Sequence, residues 1–564
     1  MSGPQEACDV LVVGSGAAGL TAALTARLHG LDVVVVEKEA LIGGTTARSG
    51  GWLWIPCSPP ARAAGVDDSP QAARAYLRHE AGNAFDAERV DAFLAGGPAM
   101  VEFLAARTRV RFELGPAFSD YHPDAPGGRA GGRSIVAAPF DLRALGPELA
   151  RLRPPLREIT FVGMMIGSGR DLTHFFNVTR SARSLAFVAR RLARHASDLA
   201  RHGRAVRATN GNALAGRLLA SAVELGIPVR TLSPARELIQ ADGAVTGALV
   251  DTPGGPVRIL ARRGVVLAAG GFPQDRTRRA ALYPHRPDET GHWSPAGPGN
   301  TGDGLRLGEG AGGRLAEGLS NPAAWVPVSL VPRRDGTLAP FPHFIDRAKP
   351  GVVAVTRDGR RFTNEADSYH DFVQAMLRAC EGRAEKAAWL VADHRALRRY
   401  GLGHVKPFPV PLRAALRSGY LVRGRTLAEL AERAGIAPAL AEEIEAYNGP
   451  ARRGEDPAFG RGSTAYNRYV GDPAVAPNPC VAPLEQGPFY AIKVVPGDLG
   501  TFAGLVTDAH ARVLDAAGRP IPGLYAAGND MASIMGGAYP GGGITLGPAM
   551  TFGYLAGLHL AGTR

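Results

Sequence analysis

"DVLVVGSGAAGLTAALTARLHGLDVVVVEKE", residues Asp9–Glu39, decides the fold of this 564-residue chain. An apolar run ends at a G-x-G-x-x-G turn formed by Gly14, Gly16 and Gly19. An amphipathic stretch follows, and a second apolar run, "VVVV", ends at Glu37. This is the order of a buried strand, a helix and a second buried strand in a parallel βαβ unit. The glycines let the chain turn sharply and bring the helix N-terminus, with its unpaired N–H groups, against a pyrophosphate. Ser15 and Ala18 lie in the same turn. Glu37, with Lys38 beside it, stands about 20 residues on, where a carboxylate accepts from a ribose hydroxyl and disfavours a 2′-phosphate. G-x-G-x-x-G alone also makes tight turns in other α/β proteins. The flanking strands, the helix and the terminal acid separate the two readings.

Three later segments extend the same ligand path. "GGTTARSGGWLWIP" (Gly43–Pro56) continues glycine-rich backbone with small hydroxyl residues, and Gly44, Thr45, Thr46, Ser49, Gly50 and Gly51 suit a second pass along a long, extended ligand. "GVVLAAGGF" (Gly264–Phe272) is a buried strand ending at Ala269 and Gly270, and "IPGLYAAGND" (Ile521–Asp530) is another. In this order the set resembles the FAD-dependent oxidoreductases of the fumarate reductase and 3-ketosteroid dehydrogenase group over nearly the whole chain. The resemblance implies an α/β fold with a discontinuous, Rossmann-like FAD-binding domain, residues 1–325 and 492–564. It implies an inserted α+β catalytic domain at 326–491, and Asn529 or Asp530 at the ribityl chain. The succinate dehydrogenases' attachment histidine has no counterpart in "GGTTARSGGW", so the FAD is expected to be held without a covalent bond.

The bulk properties bound the function. With 45% hydrophobic and 21% charged residues the chain is globular and large enough for more than one core. Its four cysteines (Cys8, Cys57, Cys380, Cys480) are far apart, with no CxxC. That argues against a disulfide scaffold or a metal site and fits a reducing, cytoplasmic compartment. No run of 18 apolar residues is present to span a membrane, and no signal peptide is expected before Asp9. The net charge of +12 owes much to "RSARSLAFVARRLARHASDLARHGRAVR" (Arg180–Arg207). That segment reads as a solvated amphipathic helix or as one resting on an anionic membrane surface, where a lipophilic substrate and a quinone acceptor dissolve. Nucleic acid is not an expected partner, because no binding motif accompanies the charge. "GNALAGRLLASAVELGIPV" reads as a helix feeding a strand, "KPFPVPL" as a Pro-rich linker, and Thr426 with Glu429 as a capping box.

The C-terminal stretch "MGGAYPGGGITLGPA" (Met535–Ala549) breaks an otherwise helix-like region with six glycines and two prolines around Tyr539. In the resembled group this loop closes beside the isoalloxazine ring, so Gly543, Ile544 and Leu546 would offer backbone to its pyrimidine edge. Fumarate reductases place an arginine where this chain has Tyr369, in "DGRRFTNEADSYHD", and another near Pro540. "GDLGTFAGL" also lacks their histidine. A dicarboxylate would lose its bidentate partners, which argues against fumarate reductase-like enoate reduction.

The remaining resemblance is to the 3-ketosteroid Δ1-dehydrogenases. It implies that Tyr539 O–H and Gly543 N–H bond a ketone oxygen, that Tyr369 is the base, and that Tyr121, in "FSDYHPDAPGG", assists it. Tyr283, Tyr466, Tyr469 and Tyr490 compete for pocket roles. The chemistry needs such groups, because a ketone's α-proton is too weakly acidic unless the oxygen is held by preorganised donors. The proton would pass to the tyrosine base and a hydride from the neighbouring carbon to flavin N5. The expected reaction is C=C formation beside a ring ketone, 3-ketosteroid 1,2-desaturation first. Desaturation of smaller cyclic ketones such as cyclohexanones and Δ4-(5α)-dehydrogenation are the alternatives. A non-enzymatic flavin-binding or redox-sensing module would leave the tyrosines without a role.

Overall fold

The computed structural model describes residues 4–167, 170–288 and 291–563, the side chain of Arg170 excepted. Strand β1 (Gln5–Val13), helix α1 (Ala17–Leu28) and strand β2 (Val33–Val36) form where the opening motif places them. β1 pairs in parallel with β2, Val10 opposite Val33, and on its other side with the strand Gly255–Leu267, Val13 opposite Leu267. That long strand pairs in parallel with Pro520–Ala526, and β2 pairs with Val229–Arg230. The eight-stranded sheet therefore runs Arg512–Leu514, Pro520–Ala526, Gly255–Leu267, β1, β2, Val229–Arg230, and Ala244–Thr252 and Ala235–Ala241 extend it. The paired ends of its central strands, Val10–Val13, Val33–Val36 and Val265–Leu267, are apolar and buried, as in a parallel sheet covered on both faces.

α1 packs against the C-terminal helix Leu546–Leu560 on one face of this sheet. The approach is close enough that a Cβ on Gly553 would lie 2.4 Å from the Ala18 carbonyl oxygen. "GNALAGRLLASAVELGIPV" becomes the helix Asn210–Glu224 leading into Val229–Arg230.

A second, six-stranded sheet is antiparallel. Its order is Leu338–Pro342, Ala323–Pro332, Phe489–Thr501, Ala388–Ala392, Val352–Val355, with Val422–Gly424 also on Phe489–Thr501. The strand Phe489–Thr501 pairs within this sheet on both sides of position 492. Thr426 caps the helix Leu427–Ala434 by accepting from Glu429 N–H at 3.1 Å. The carboxylate of Glu429 answers the N–H of Arg425, not that of Thr426 itself. "KPFPVPL" does not simply connect: Lys406 to Val410 line the large cavity between the sheets. The basic segment forms the helix Ala182–His202, opened by the Ser181 side chain and closed by Gly203 at φ +68°. Its Val188 and Leu192 line the same cavity, while Leu185 and Leu199 are exposed.

Candidate active site

In a parallel sheet of this kind ligands sit beyond the carboxyl ends of the strands. Here β1 delivers Gly14, Ser15 and Gly16, β2 delivers Glu37 and Lys38, and Gly255–Leu267 delivers Ala269 and Gly270, all to one cavity of about 710 Å³. Ala18 contributes from the first turn of α1, and Gly44, Thr45, Thr46, Ser49, Gly50 and Gly51 form a second wall. Asn529, Gly543 and Leu546 close it from the C-terminal side.

Three expected cofactor residues stand off the cavity wall. Gly19 serves packing: a Cβ there would lie 2.0 Å from the Gly14 carbonyl oxygen, so it lets α1 approach the turn. Asp530 is fully buried, and its carboxylate accepts from Gly271 N–H at 2.8 Å and from Ala269 N–H. It fixes the turn after Gly255–Leu267, while Asn529 is the one of the pair that faces the cavity. Burial raises the Asp530 carboxyl to about 6 despite those two donors. Ile544 is buried in the core.

These walls fit FAD. Gly16 caps α1 with no side chain, a Cβ on Gly44 would meet open space, and one on Gly16 would come no closer than 3.7 Å to Thr46 Oγ1. Bare backbone therefore faces the cavity at the helix N-terminus. The Glu37 carboxylate accepts from Ser15 N–H at 3.1 Å, Ser15 O–H at 2.6 Å and Glu39 N–H at 2.9 Å. A carboxylate has about four acceptor positions, so one remains for a ribose hydroxyl.

At the other end of the cavity stand the phenols. Tyr369 is the first residue of the helix Tyr369–Ala379, whose N-terminus is capped by Ser368 Oγ accepting from Asp371 N–H at 3.1 Å. The hydroxyl of Tyr121 donates to Tyr369 Oη at 3.0 Å. The Tyr539 ring lies stacked 5.5 Å from Tyr121 and edge-on 5.1 Å from Tyr369. All three are buried and line the cavity together with Gly543. Burial pushes the Tyr121 and Tyr369 phenols well above their usual range and lifts Tyr539 to about 12. Among the described residues no protein acceptor takes the Gly543 N–H. Gly543 has φ +103°, and a Cβ there would lie 2.5 Å from the backbone of Trp52 and Leu53. It is thus the strand Trp52–Trp54 that excludes a side chain.

Several residues that the sequence did not single out hold this geometry. The Pro540 carbonyl accepts from Tyr76 O–H at 2.6 Å and Tyr121 N–H at 2.9 Å, which pins the tyrosine loop to the Tyr121 segment. Asp120 is buried and accepts from Trp54 Nε1 at 2.7 Å and Arg133 Nη1 at 2.8 Å, while Arg133 also pairs with Asp68. His122 bridges Glu80 at 2.8 Å and Asp371 at 3.0 Å. Burial opposes its charge, but the two carboxylates outweigh burial and raise it to about 10. Arg361 and Arg461 grip buried Glu365, four residues before Tyr369. Apart from Arg361 and Glu365, four residues apart, these partners lie more than ten to several hundred positions apart, so no local pattern announces them.

Of the competing tyrosines, Tyr466 packs 4.5 Å from Tyr121 and Tyr469 stacks 5.2 Å from Phe118, both on the cavity. Tyr283 donates to Asp498 and Tyr490 contacts His394, away from it.

The chain matches the FAD binding domain family over residues 9–546. It is 43% identical to a 4-oxocyclohex-2-ene-1-carboxylate 5-dehydrogenase of Sinomonas cyclohexanicum, over 98% of this chain and 94% of that protein. It is 40% identical to a 3-oxosteroid 1-dehydrogenase of Mycobacterium tuberculosis, over 98% of each. The solved 3-ketosteroid Δ1-dehydrogenase of Sterolibacterium denitrificans, in complex with 1,4-androstadiene-3,17-dione, superposes with a TM-score of 0.91 at 36% identity, covering 99% of this chain and all of that one.

Proposed function

The chain belongs to the FAD binding domain family and is an FAD-dependent oxidoreductase, and within that family we propose that it desaturates a ring ketone, a 3-ketosteroid between C1 and C2. The observation that carries this reading is the hydrogen-bonded Tyr121–Tyr369 pair with Tyr539 packed against both at one end of the cavity.

FAD, held by the Gly14–Gly16 turn, Glu37, the Gly44–Gly51 wall and Asn529, supplies when bound the two-electron acceptor. The chain's own groups do the rest. Tyr539 O–H and Gly543 N–H bond the ketone oxygen, where negative charge develops as the α-proton leaves. One such donor is worth about 2.7–4 kcal/mol in comparable oxyanion sites. Tyr369 takes the α-proton at its Oη, and the Tyr121 hydroxyl donates to that oxygen, which favours the anionic form of the base. Phe118, Phe344 and Tyr466 surround the reacting ring with apolar surface and keep water from competing for the phenols. No arginine stands at Tyr369 or Pro540, so a dicarboxylate has no bidentate partner there.

Smaller ring ketones are the second reading, favoured by the similarity to a 4-oxocyclohex-2-ene-1-carboxylate 5-dehydrogenase; Δ4-(5α) desaturation would use the same phenols. Anaerobic mixing of the holoenzyme with a 3-ketosteroid, a cyclohexanone and succinate tests the proposal. The steroid should bleach the flavin fastest and succinate should not bleach it. Bleaching by succinate alone would reject the ketone reading.

We further propose a quinone as acceptor and a peripheral contact of the helix Ala182–His202 with an anionic membrane. The support is exposed Leu185 and Leu199 among its arginines. No helix among the described residues is long and apolar enough to cross a membrane. Replacing those arginines with glutamine should reduce sedimentation with anionic liposomes while ketone turnover persists. Equal sedimentation would leave the helix as a solvated face.

A further inference from the structure

We propose that Lys406 makes the protein selective for ketones that carry a carboxylate at the end remote from the reacting ring. The inference rests on the ketone reading above and concerns the far half of the same cavity.

The charged residues on the cavity wall divide by position. Toward the cofactor end, Lys38 pairs with Asp303 and Arg153 with Glu39. Arg48 belongs to the Gly44–Gly51 wall and lies in the fields of Arg153, Glu158 and Arg333. In the other half the wall is apolar, built from such residues as Phe176, Phe341, Val405 and Phe408, and it carries two charges, Asp346 and Lys406. The Asp346 carboxylate is engaged: it accepts from His343 Nδ1 at 2.7 Å and from Gly403 N–H at 2.8 Å.

Lys406 is different. Among the described residues its ammonium makes no hydrogen bond or ion pair, and it lies over the face of Phe341, 5.8 Å from the ring centre. Burial holds the ammonium below its ordinary value, and only the field of Asp346 opposes that. A partly buried cation without a protein partner gains from a ligand that supplies the anion. The position suits the far end of a substrate. Phe344 packs 5.3 Å from the base Tyr369, and Phe341, under Lys406, lies three residues earlier. Three residues of extended chain span at most about 10 Å. Lys406 and the phenols thus line one cavity and are linked by a short run of chain, which keeps the ammonium within reach of a ligand held at the phenols.

A lysine can also lay its stem on an apolar wall and leave its ammonium in water, with no ligand to meet. The two roles differ in what the charge does for an acid compared with its ester. The test uses the FAD-loaded enzyme with 3-oxo-4-androstene-17-carboxylate and its methyl ester, compared between wild type, Lys406→Met and Lys406→Arg. Lys406→Met keeps the length of the stem and deletes the charge. It should lower kcat/KM for the acid at least tenfold while the ester changes less than twofold. Lys406→Arg should restore most of the loss, and added salt should weaken the wild type's preference for the acid. If Lys406→Met treats acid and ester alike while the ester still bleaches the wild-type flavin, the selectivity claim is overturned and the ketone reading stands. If neither compound bleaches the wild-type flavin, the 3-ketosteroid reading falls and this inference falls with it.

Discussion

The hydroxyl of Tyr121 reaches Tyr369 Oη at 3.0 Å although 248 residues separate them in the chain. The two segments that meet there are tied a second time one step away, because His122 bonds Asp371 at 3.0 Å. A phenol that accepts a hydrogen bond is a better-stabilised anion than a free one. On the proposed reading the pair is a base with its helper built in, held by a partly exposed ion pair just behind it.

Tyr369→Phe removes one oxygen from this pair and leaves the cofactor walls intact. Flavin reduction by a 3-ketosteroid should slow by at least ~10²-fold, the usual worth of a positioned acid–base group, with FAD content unchanged. Tyr121→Phe should slow it less. Stopped-flow absorbance checks both, and a Tyr369→Phe rate near wild type would move the base elsewhere on the cavity.

Burial raises both phenols, so at neutral pH only a small fraction of the pair is ionised. Each pH unit below the pair's first pKa multiplies the phenolate about tenfold. The rate of flavin reduction at saturating ketone should therefore rise steadily from pH 7 to pH 9. A flat or falling profile over that range would contradict an ionised phenol as the base.

His122 gives a prediction about stability. Its folded-state pKa of about 10 lies above the ordinary value of 6.5, because Asp371 and Glu80 outweigh burial. Its contribution is therefore fully present below about pH 6.5 and is lost as pH rises toward 10. The wild type's Tm advantage over His122→Gln should shrink steadily between those limits. Its imidazole is well exposed, so the effect will be modest. A Tm difference independent of pH would show that His122 is not charged in the fold.

Gly543→Ala places a methyl group against the backbone of Trp52 and Leu53 at φ +103°. The strand Trp52–Trp54 follows directly on the Gly44–Gly51 wall, so the variant should be nearly inactive and bind less FAD. Absorbance per mole of purified protein measures the second effect. Full flavin content with full activity would mean that the loop yields there.

The βαβ unit was legible because its strand, turn, helix and acid are consecutive in the chain and each obeys a local rule. Tyr539 and Gly543 share one loop, so their proximity was legible too. The choice between Asn529 and Asp530 was not: both end the same strand, and only the packing of Gly271 and Ala269 turns Asp530 inward. "KPFPVPL" has the composition of a linker, and nothing in it reveals that Lys406 to Val410 face a cavity. The Asp120–Arg133–Asp68 and Glu80–His122–Asp371 networks join residues from distant segments, and a single sequence carries no signal for such pairings.

The central claim is that Tyr539 helps to hold the ketone oxygen as charge develops on it. Tyr539→Phe leaves the backbone, the Gly543 N–H and the Tyr121–Tyr369 pair in place. The most direct measurement is kcat/KM for a 3-ketosteroid that bleaches the wild-type flavin. The account predicts a loss of roughly 2.7–4 kcal/mol, about 10²–10³-fold, with weaker ketone binding and slower oxidation together. Full activity of Tyr539→Phe on every ketone that reduces the wild-type enzyme would contradict it, and Tyr539 would then be a packing residue between two other rings.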